Sequence, residues 1–394
     1  MKRYNVPRIA EGVHSVGVRD WARRTIGGQF PAPDGTTYNS YLVLGRKKRA
    51  LVDTVRAGFE DELLARINQL TDIADLDYVV MDHAAPDHSD AVSAVLEAAP
   101  KALLVTSLPG AKVAQGLYHV PEQRLLYVKE GTTLDLGGAA LGFIEAPSLP
   151  SPETMFTYHM QEKVLFSGGF FASHTAYGIC DEDVPELHRL SKRYFATTLL
   201  PFRESGQKAL QRLGGMDIRV IAPCHGPVYK NPKKATGAYV PWTNGDTEEK
   251  ALVAYLSLSP SITSLAGSLE EALASEGIEV RMHDLAALDA GELAADLLDA
   301  RAVVLGSPAV LGGMHPLALQ VATLIRALRP PARLGALLGC GEWAGAGLKS
   351  VARALLPMLH IAGTVETPGP PGDKDHQAVS ELACALANRI RESK

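Results

Sequence analysis

The chain has 394 residues, enough for about two domains with a full core each, and 46% hydrophobic with 21% charged residues is ordinary for a soluble globular protein. A formal net charge of −5, with no basic run longer than RKKR at 46–49, excludes an electrostatic footprint for nucleic acid. The N-terminus lacks the apolar core of a signal peptide, no stretch reaches the roughly 18 apolar residues of a membrane span, and four scattered cysteines without a CxxC exclude a disulfide frame, a zinc ribbon and a cysteine-bound iron cluster; a cytoplasmic protein is expected.

From about residue 11 to 225 the pattern is short strands joined by turns. TTYNSYLVLG and RALVDTV are β-rich, and the basic run between them reads as a hairpin turn. GFEDELLARINQL follows with helical spacing of Leu63, Leu64, Ile67 and Leu70, then the strand DYVVMDH, the helix SDAVSAVLEAA and the strand ALLVTS. A strand pair around TTLDLGGAALGFIEA, the strand KVLFSGGFF, a helical stretch near 184–213 and the strand RVIAPCHG complete the first region. Residues 226–248, rich in Pro, Gly, Lys and Asn without a period, read as a linker, placing domains at 1–245 and 246–394. Beyond it strands and helices alternate: ALVAYLSLS, SITSLAGSLEEALASEG, IEVRMHDL, ARAVVLGSPAV, PLALQVATLIRAL, RLGALLGCG and GLKSVARALLPML. Such alternation predicts a doubly wound parallel sheet with helices on both faces.

The stretch DHAAPDHSD at 82–90 places two histidines five residues apart, with an aspartate before the second and a proline expected to keep the loop from being helical. In order, GTTYNSYLV, LVDTV, DHAAPDHSD, SLPSPETMFTY, VLFSGGFFASH, APCHGPVY, GSPAVLGGMHP and GCGEWAGAG make the chain resemble the flavodiiron (A-type flavoprotein) family over nearly its whole length. The resemblance implies an α/β protein, a metallo-β-lactamase-like αββα sandwich carrying a di-iron site followed by a flavodoxin-like domain that binds FMN. It also implies reduction of O₂ or NO, a head-to-tail homodimer, and a separate electron donor such as rubredoxin or a flavin reductase.

Carried over residue by residue, the first iron keeps only His83. Its glutamate stands at Ala85, its second histidine at Pro150, and the bridging aspartate at Gly169, none of which has a side-chain donor. A normal di-iron centre is therefore not expected. The second iron keeps Asp87, His88 and His225, the composition of a 2-His-1-carboxylate site able to hold a single Fe or Zn ion, with Asp90 and His83 as neighbours. The opposing reading is a relic, with Asp87 and His88 held by hydrogen bonds and capping a helix from about Ser89. A metallo-hydrolase would need a histidine at Ala85.

For FMN, the resemblance assigns the phosphate to Ser257, Ser259 and Ser261 and the ring to Ser307, Pro308, Gly312, Gly313, Gly339 and Trp343. Pro260 replaces a glycine and removes an N–H, and Ile262 replaces a hydroxyl. Cys224 reads as a small buried thiol, His174 as a remnant beside the lost bridge, and His14 and His159 as sheet histidines. Three functions stay open: an FMN-bearing oxidoreductase or electron carrier without the two irons, a mononuclear-metal enzyme, and a cofactor-free scaffold or partner of an intact relative.

Overall fold

The computed structural model describes residues 3–310, 313–341, 348, 349, 352, 355 and 358–393. The chain forms two compact units, Met1–Thr243 and Asn244–Lys394. Among the described residues, no helix is long and apolar enough to cross a membrane.

In the first unit, strand alternation decides which side chains meet. Ala50 and Val52 of Arg49–Val52 and Tyr78 and Val80 of Tyr78–Val80 face one way, while Leu51 and Val79 face the other. The first set packs on Leu141, Phe143, Met155, Val164 and Phe166 of a second sheet. The second set packs on Leu63 and Ile67 of the helix Glu60–Ile67 and on Val92 and Val95 of the helix Val92–Ala98. Each Val, Leu, Ile, Phe or Met among them, fully withdrawn from water, contributes roughly 1.5–3 kcal/mol. Seven strands from Arg8–Ala10 to Leu125–Val128 form the first sheet and five from Thr133–Asp135 to Val220–Ala222 the second, the inner layers of an αββα sandwich. The run RKKR closes the antiparallel hairpin of Tyr41–Leu44 and Arg49–Val52, as expected.

Two local expectations need correction. Residues 226–248 are not a linker throughout, because Pro232–Asn244 is a helix that opens on a proline, whose missing N–H costs nothing there. Its Ala235, Tyr239 and Trp242 recur at helical spacing and are buried, and Tyr239 meets the rings of Phe170, Phe171 and Phe195 at 5.0, 4.6 and 5.2 Å. Pro86 likewise starts a helical turn, Pro86–Ser89, rather than forbidding one; His88 (φ −138°) breaks it, and the next helix begins at Val92.

The second unit has a sheet in the order Glu279–Asp284, Glu248–Tyr255, Ala300–Val310, Leu334–Cys340, His360–Thr367, with these five strands parallel. In chain order that is 2-1-3-4-5, the flavodoxin-like arrangement. Helices Pro260–Ser275 and Asp373–Glu392 bury Leu265, Leu269, Leu382 and Leu386 on one face with Val253, Val304 and Leu338. Helices Ala290–Leu297 and Pro316–Leu328 pack on the strand Ala300–Val310 as well, giving the double winding. The helix expected over GLKSVARALLPML lies mostly outside the described residues.

Candidate functional site

The strand Tyr78–Val80 delivers the chain into the loop that carries His83, Asp87 and His88. Its shape is fixed from within: the Ser89 hydroxyl donates to the His83 carbonyl (2.7 Å), and the Thr54 N–H and hydroxyl donate to the His88 carbonyl (2.9 and 3.0 Å). His225 follows the strand Val220–Ala222 on a separate turn. The Asn39 amide donates to the carbonyls of Pro223 and Gly226, both at 2.8 Å, and the Tyr41 hydroxyl donates to Pro223 at 2.7 Å. Gly226 has φ +79°, and a Cβ there would lie 2.2 Å from the Ser173 Oγ, so the turn excludes any side chain.

These two turns bring Asp87, His88 and His225 together. Asp87 Oδ2 lies 3.0 Å from His225 Nε2, and Asp87 Oδ1 lies 3.8 Å from His88 Nε2. His225 Nδ1 lies 2.6 Å from the Thr37 carbonyl oxygen, and donation there fixes the tautomer and aims Nε2 inward, as in metal-binding histidines. His88 and His225 are buried, while the Asp87 side chain keeps 41% exposure and marks where the pocket opens. Burial opposes a charge on His225, but Cys224 and the Asp87 carboxylate raise its pKa well above the ordinary imidazole value. Burial also works against a charged His88, yet Cys224, Asp53 and Asp87 carry it up to about 9. Asp87 goes the opposite way: packing disfavours its charge, and His225 and His88 nevertheless hold it well below the usual carboxylate range. Desolvation and the neighbouring His225 lower His174 to about 3. The shifts of Asp87, His88 and His225 all run toward a carboxylate facing imidazolium rings, and a metal held there would compete with those protons.

The rest of the expected ligand set does not converge. His83 points its Nδ1 at Glu153 Oε1, 2.8 Å away, and its ring lies 5.1 Å from that of His88. Asp90 is engaged elsewhere, accepting from the Ala57 N–H at 3.2 Å. At Gly169 a Cβ would meet the Tyr194 hydroxyl at 2.8 Å, so the space where a residue-169 side chain would begin is already taken. Among the described residues, no group of three His, Cys, Asp or Glu side chains is arranged to hold a metal ion. Positions 85, 150 and 169 themselves carry alanine, proline and glycine, which have no side-chain donor.

Glu153 and Tyr194 are contributors that sequence reasoning missed. Glu153 lies within SLPSPETM, where a carboxylate three residues after Pro150 is a usable signal. Tyr194 ends the helix Leu187–Tyr194, where the chain enters a π-helical turn, Phe195–Leu199; such turns often mark functional positions, but no local motif announces this one. His174 accepts or donates at Nδ1 with the Thr36 hydroxyl (2.9 Å), its ring 5.0 Å from that of His225. Cys224 is buried beside them, and His14 and His159 sit in strands as expected.

In the second unit, the expected phosphate loop leaves the carboxyl end of Glu248–Tyr255 and enters the helix Pro260–Ser275. Ser259 occupies the N-cap position and Pro260 the first helical position, where an N–H would have no helical partner, so the proline removes less than its sequence position suggested. The Ser257 hydroxyl donates to the Ser259 carbonyl and accepts from the Thr263 N–H (3.3 Å), while the Ser259 hydroxyl donates to Ser261 Oγ (3.4 Å). These hydroxyls find their partners within the loop and the first turn of the helix. Ile262 is buried, with its Cγ2 3.2 Å from where a Cβ on Gly306 would lie, so it packs on the sheet and does not face a ligand. Ser307 and Pro308 end the strand Ala300–Val310, the Ser307 hydroxyl donating to the Pro308 carbonyl (3.0 Å); Gly313 pairs back on Val310, and Gly339 lies near the end of Leu334–Cys340. All stand at the carboxyl edge of a parallel sheet, where such folds take their ligands. Gly312 and Trp343 lie outside the described residues.

A metallo-β-lactamase-like unit with a histidine–carboxylate pocket, joined to a flavodoxin-like unit, defines the class, and the profile described as "ODP family beta lactamase" matches residues 36–226. A nitric oxide reductase of Moorella thermoacetica is 33% identical, over 98% of each chain. The solved rubredoxin oxygen:oxidoreductase of Desulfovibrio gigas is 29% identical with a TM-score of 0.95, covering 98% of this chain and 99% of that one. The flavodiiron protein of Giardia intestinalis is 25% identical, also with a TM-score of 0.95, covering 100% and 98%. The chain belongs to the flavodiiron protein family, a family of oxidoreductases.

Proposed function

We propose that this chain is an oxidoreductase of its family that works without a two-iron centre and carries electrons on FMN held in the flavodoxin-like unit. The observation that carries the reading is the Tyr194 hydroxyl, 2.8 Å from where a Cβ at Gly169 would stand, in the room a bridging carboxylate would need. The Glu153–His83 pair supports it, since it engages the remaining imidazole of the first iron position with a protein partner. O₂ or NO reduction by the two-iron route is then not this chain's activity. FMN, when bound, supplies reversible electron transfer. The chain's own part is to hold it: the hydroxyls of Ser257, Ser259 and Ser261 exchange their local hydrogen bonds for the phosphate at the N-terminus of Pro260–Ser275, and Ser307, Pro308, Gly313 and Gly339 frame the ring. Electrons come from a separate protein, such as rubredoxin or a flavin reductase, and the chain acts as a head-to-tail homodimer; the rubredoxin-oxygen oxidoreductase among its relatives favours the first donor.

Purified protein tests this reading directly. It should be yellow, release equimolar FMN on denaturation and consume neither O₂ nor NO when reduced. A colourless protein that takes up no added FMN would leave the cofactor-free partner in its place, and two irons per chain with O₂ or NO turnover would end the proposal. A second reading, a single Fe or Zn ion on Asp87, His88 and His225, is favoured by the fixed His225 tautomer. It requires stoichiometric metal that is lost in Asp87→Ala, and it fails if iron, zinc and manganese all stay substoichiometric after growth in supplemented medium.

A further inference from the structure

Between the helices Leu187–Tyr194 and Pro232–Asn244, beside the short turn Asp181–Asp183, lies a cavity of about 560 Å³. Small-molecule sites span roughly 300–1,000 Å³, and among the described residues none of Asp87, His88 and His225 lines this one. Val184, Leu187 and Ala235 give it apolar wall, and Asp181, Ser191 and Tyr229 give it polar atoms. Asp181 is only 6% exposed. Its Oδ1 accepts the Lys230 N–H at 3.0 Å, but its Oδ2 receives no hydrogen bond. The cation facing Oδ2 is Lys234 Nζ at 3.4 Å, on a side chain 58% exposed, and such a solvated partner holds a carboxylate weakly. A buried carboxylate oxygen met by one distant, solvated ammonium is poorly compensated, and a ligand bringing a closer donor relieves that cost. The hydroxyls of Ser191 and Tyr229 lie 2.8 Å apart, and either can donate, so the pair can turn to meet a second polar group.

We propose that this cavity binds a small organic cation, its ammonium displacing Lys234 from Asp181 and its hydrocarbon or aryl body lying against Val184, Leu187 and Ala235. An anion would face both Asp181 and Glu182, and a neutral alcohol would bring one donor where an ammonium brings three. The chemistry is independent of metal and flavin, so it stands or falls apart from the function proposed above.

Isothermal titration of the full chain with phenethylamine, 2-phenylethanol and phenylacetate tests it. Phenethylamine should bind at least tenfold tighter than the other two. Asp181→Asn keeps an acceptor for the Lys230 N–H and should lose tenfold or more, whereas Lys234→Met removes the internal competitor and should gain several-fold. If Asp181→Asn fails to fold, Ala238→Trp fills the cavity from the second helix and should abolish the heat while circular dichroism stays unchanged. No heat for phenethylamine at millimolar concentration, equal affinity for the three probes, or weaker binding in Lys234→Met would overturn the proposal.

Discussion

The two candidate sites of this chain are built from opposite kinds of contact. In the first unit the polar side chains are buried and paired with groups far away in sequence: Asn39 with Pro223 and Gly226, His83 with Glu153, His225 with Thr37 and Asp87. In the second unit the hydroxyls at 257–261 lie on one loop and the first turn of the helix it enters, and bond within six residues of themselves. A pocket of the first kind is held by partners on separate, distant segments of the chain. A loop of the second kind is cheap to rearrange, which suits a site that must trade internal bonds for those of a phosphate. Substitutions that act on one kind of contact and spare the other test the contrast.

The largest effect is expected from Gly226→Ala. The new Cβ meets the Ser173 Oγ at 2.2 Å and the residue must hold φ +79°, so clash and strain together should cost about 4 kcal/mol. Gly341→Ala is its control in the second unit: φ is +104°, but no heavy atom of the described residues lies within 4 Å of the added Cβ, so strain of about 1–2 kcal/mol is what they account for. Equal losses in urea denaturation would remove the distinction. Next comes Lys250→Met, which sharpens the comparison because this buried ion pair is one place where the second unit resembles the first. Lys250 Nζ lies 2.5 Å from Asp299 Oδ1, and removing this buried ion pair should cost about 3 kcal/mol. Burial opposes the lysine's charge, but Asp299 and Glu248 raise its pKa above the usual value. A raised folded pKa contributes stability in full below the unfolded value of 10.5 and loses it as pH climbs through the folded one. The gap between wild type and Lys250→Met should therefore be constant near neutral pH and shrink only in strong alkali. A gap that changes between pH 6 and 8 contradicts this account.

Asn39→Ala follows at about 2 kcal/mol, since it strips donors from two buried carbonyls. Its more telling readout is hydrogen exchange at the His225 turn, which should speed up while the strand Tyr78–Val80 stays protected; unchanged exchange there would mean the staple is not what holds the turn.

The same division explains what the sequence could tell. Strand–helix alternation after residue 248 was enough to expect a parallel, doubly wound sheet, because that pattern is local. The helix Pro232–Asn244 was hidden by its prolines, glycine and lysines, although Ala235, Tyr239 and Trp242 at helical spacing carried the opposite signal. In the first unit, the residues carried over by the resemblance, Asp87, His88 and His225, do meet. Glu153 on His83 and Tyr194 against Gly169 were not legible, because nothing within either segment records a partner 70 or 25 positions away.

The smallest effect on folding should come from Ser257→Ala, and it is the one that separates the two kinds of site most clearly. Ser257 Oγ caps the Thr263 N–H from an exposed loop, so losing it should cost under about 1 kcal/mol, the lower range for a helix cap. If the loop is a phosphate cradle in waiting, the same substitution should weaken FMN binding by tenfold or more, read by fluorescence quenching on titration of flavin into flavin-stripped protein. Pairing it with Ser259→Ala should weaken binding further, because each hydroxyl freed from its neighbour is a donor the phosphate would take. A large loss of stability with unchanged flavin affinity would show that these serines serve the loop alone. The second unit's polar atoms would then be structural in the same sense as Asn39, only held by shorter stretches of chain.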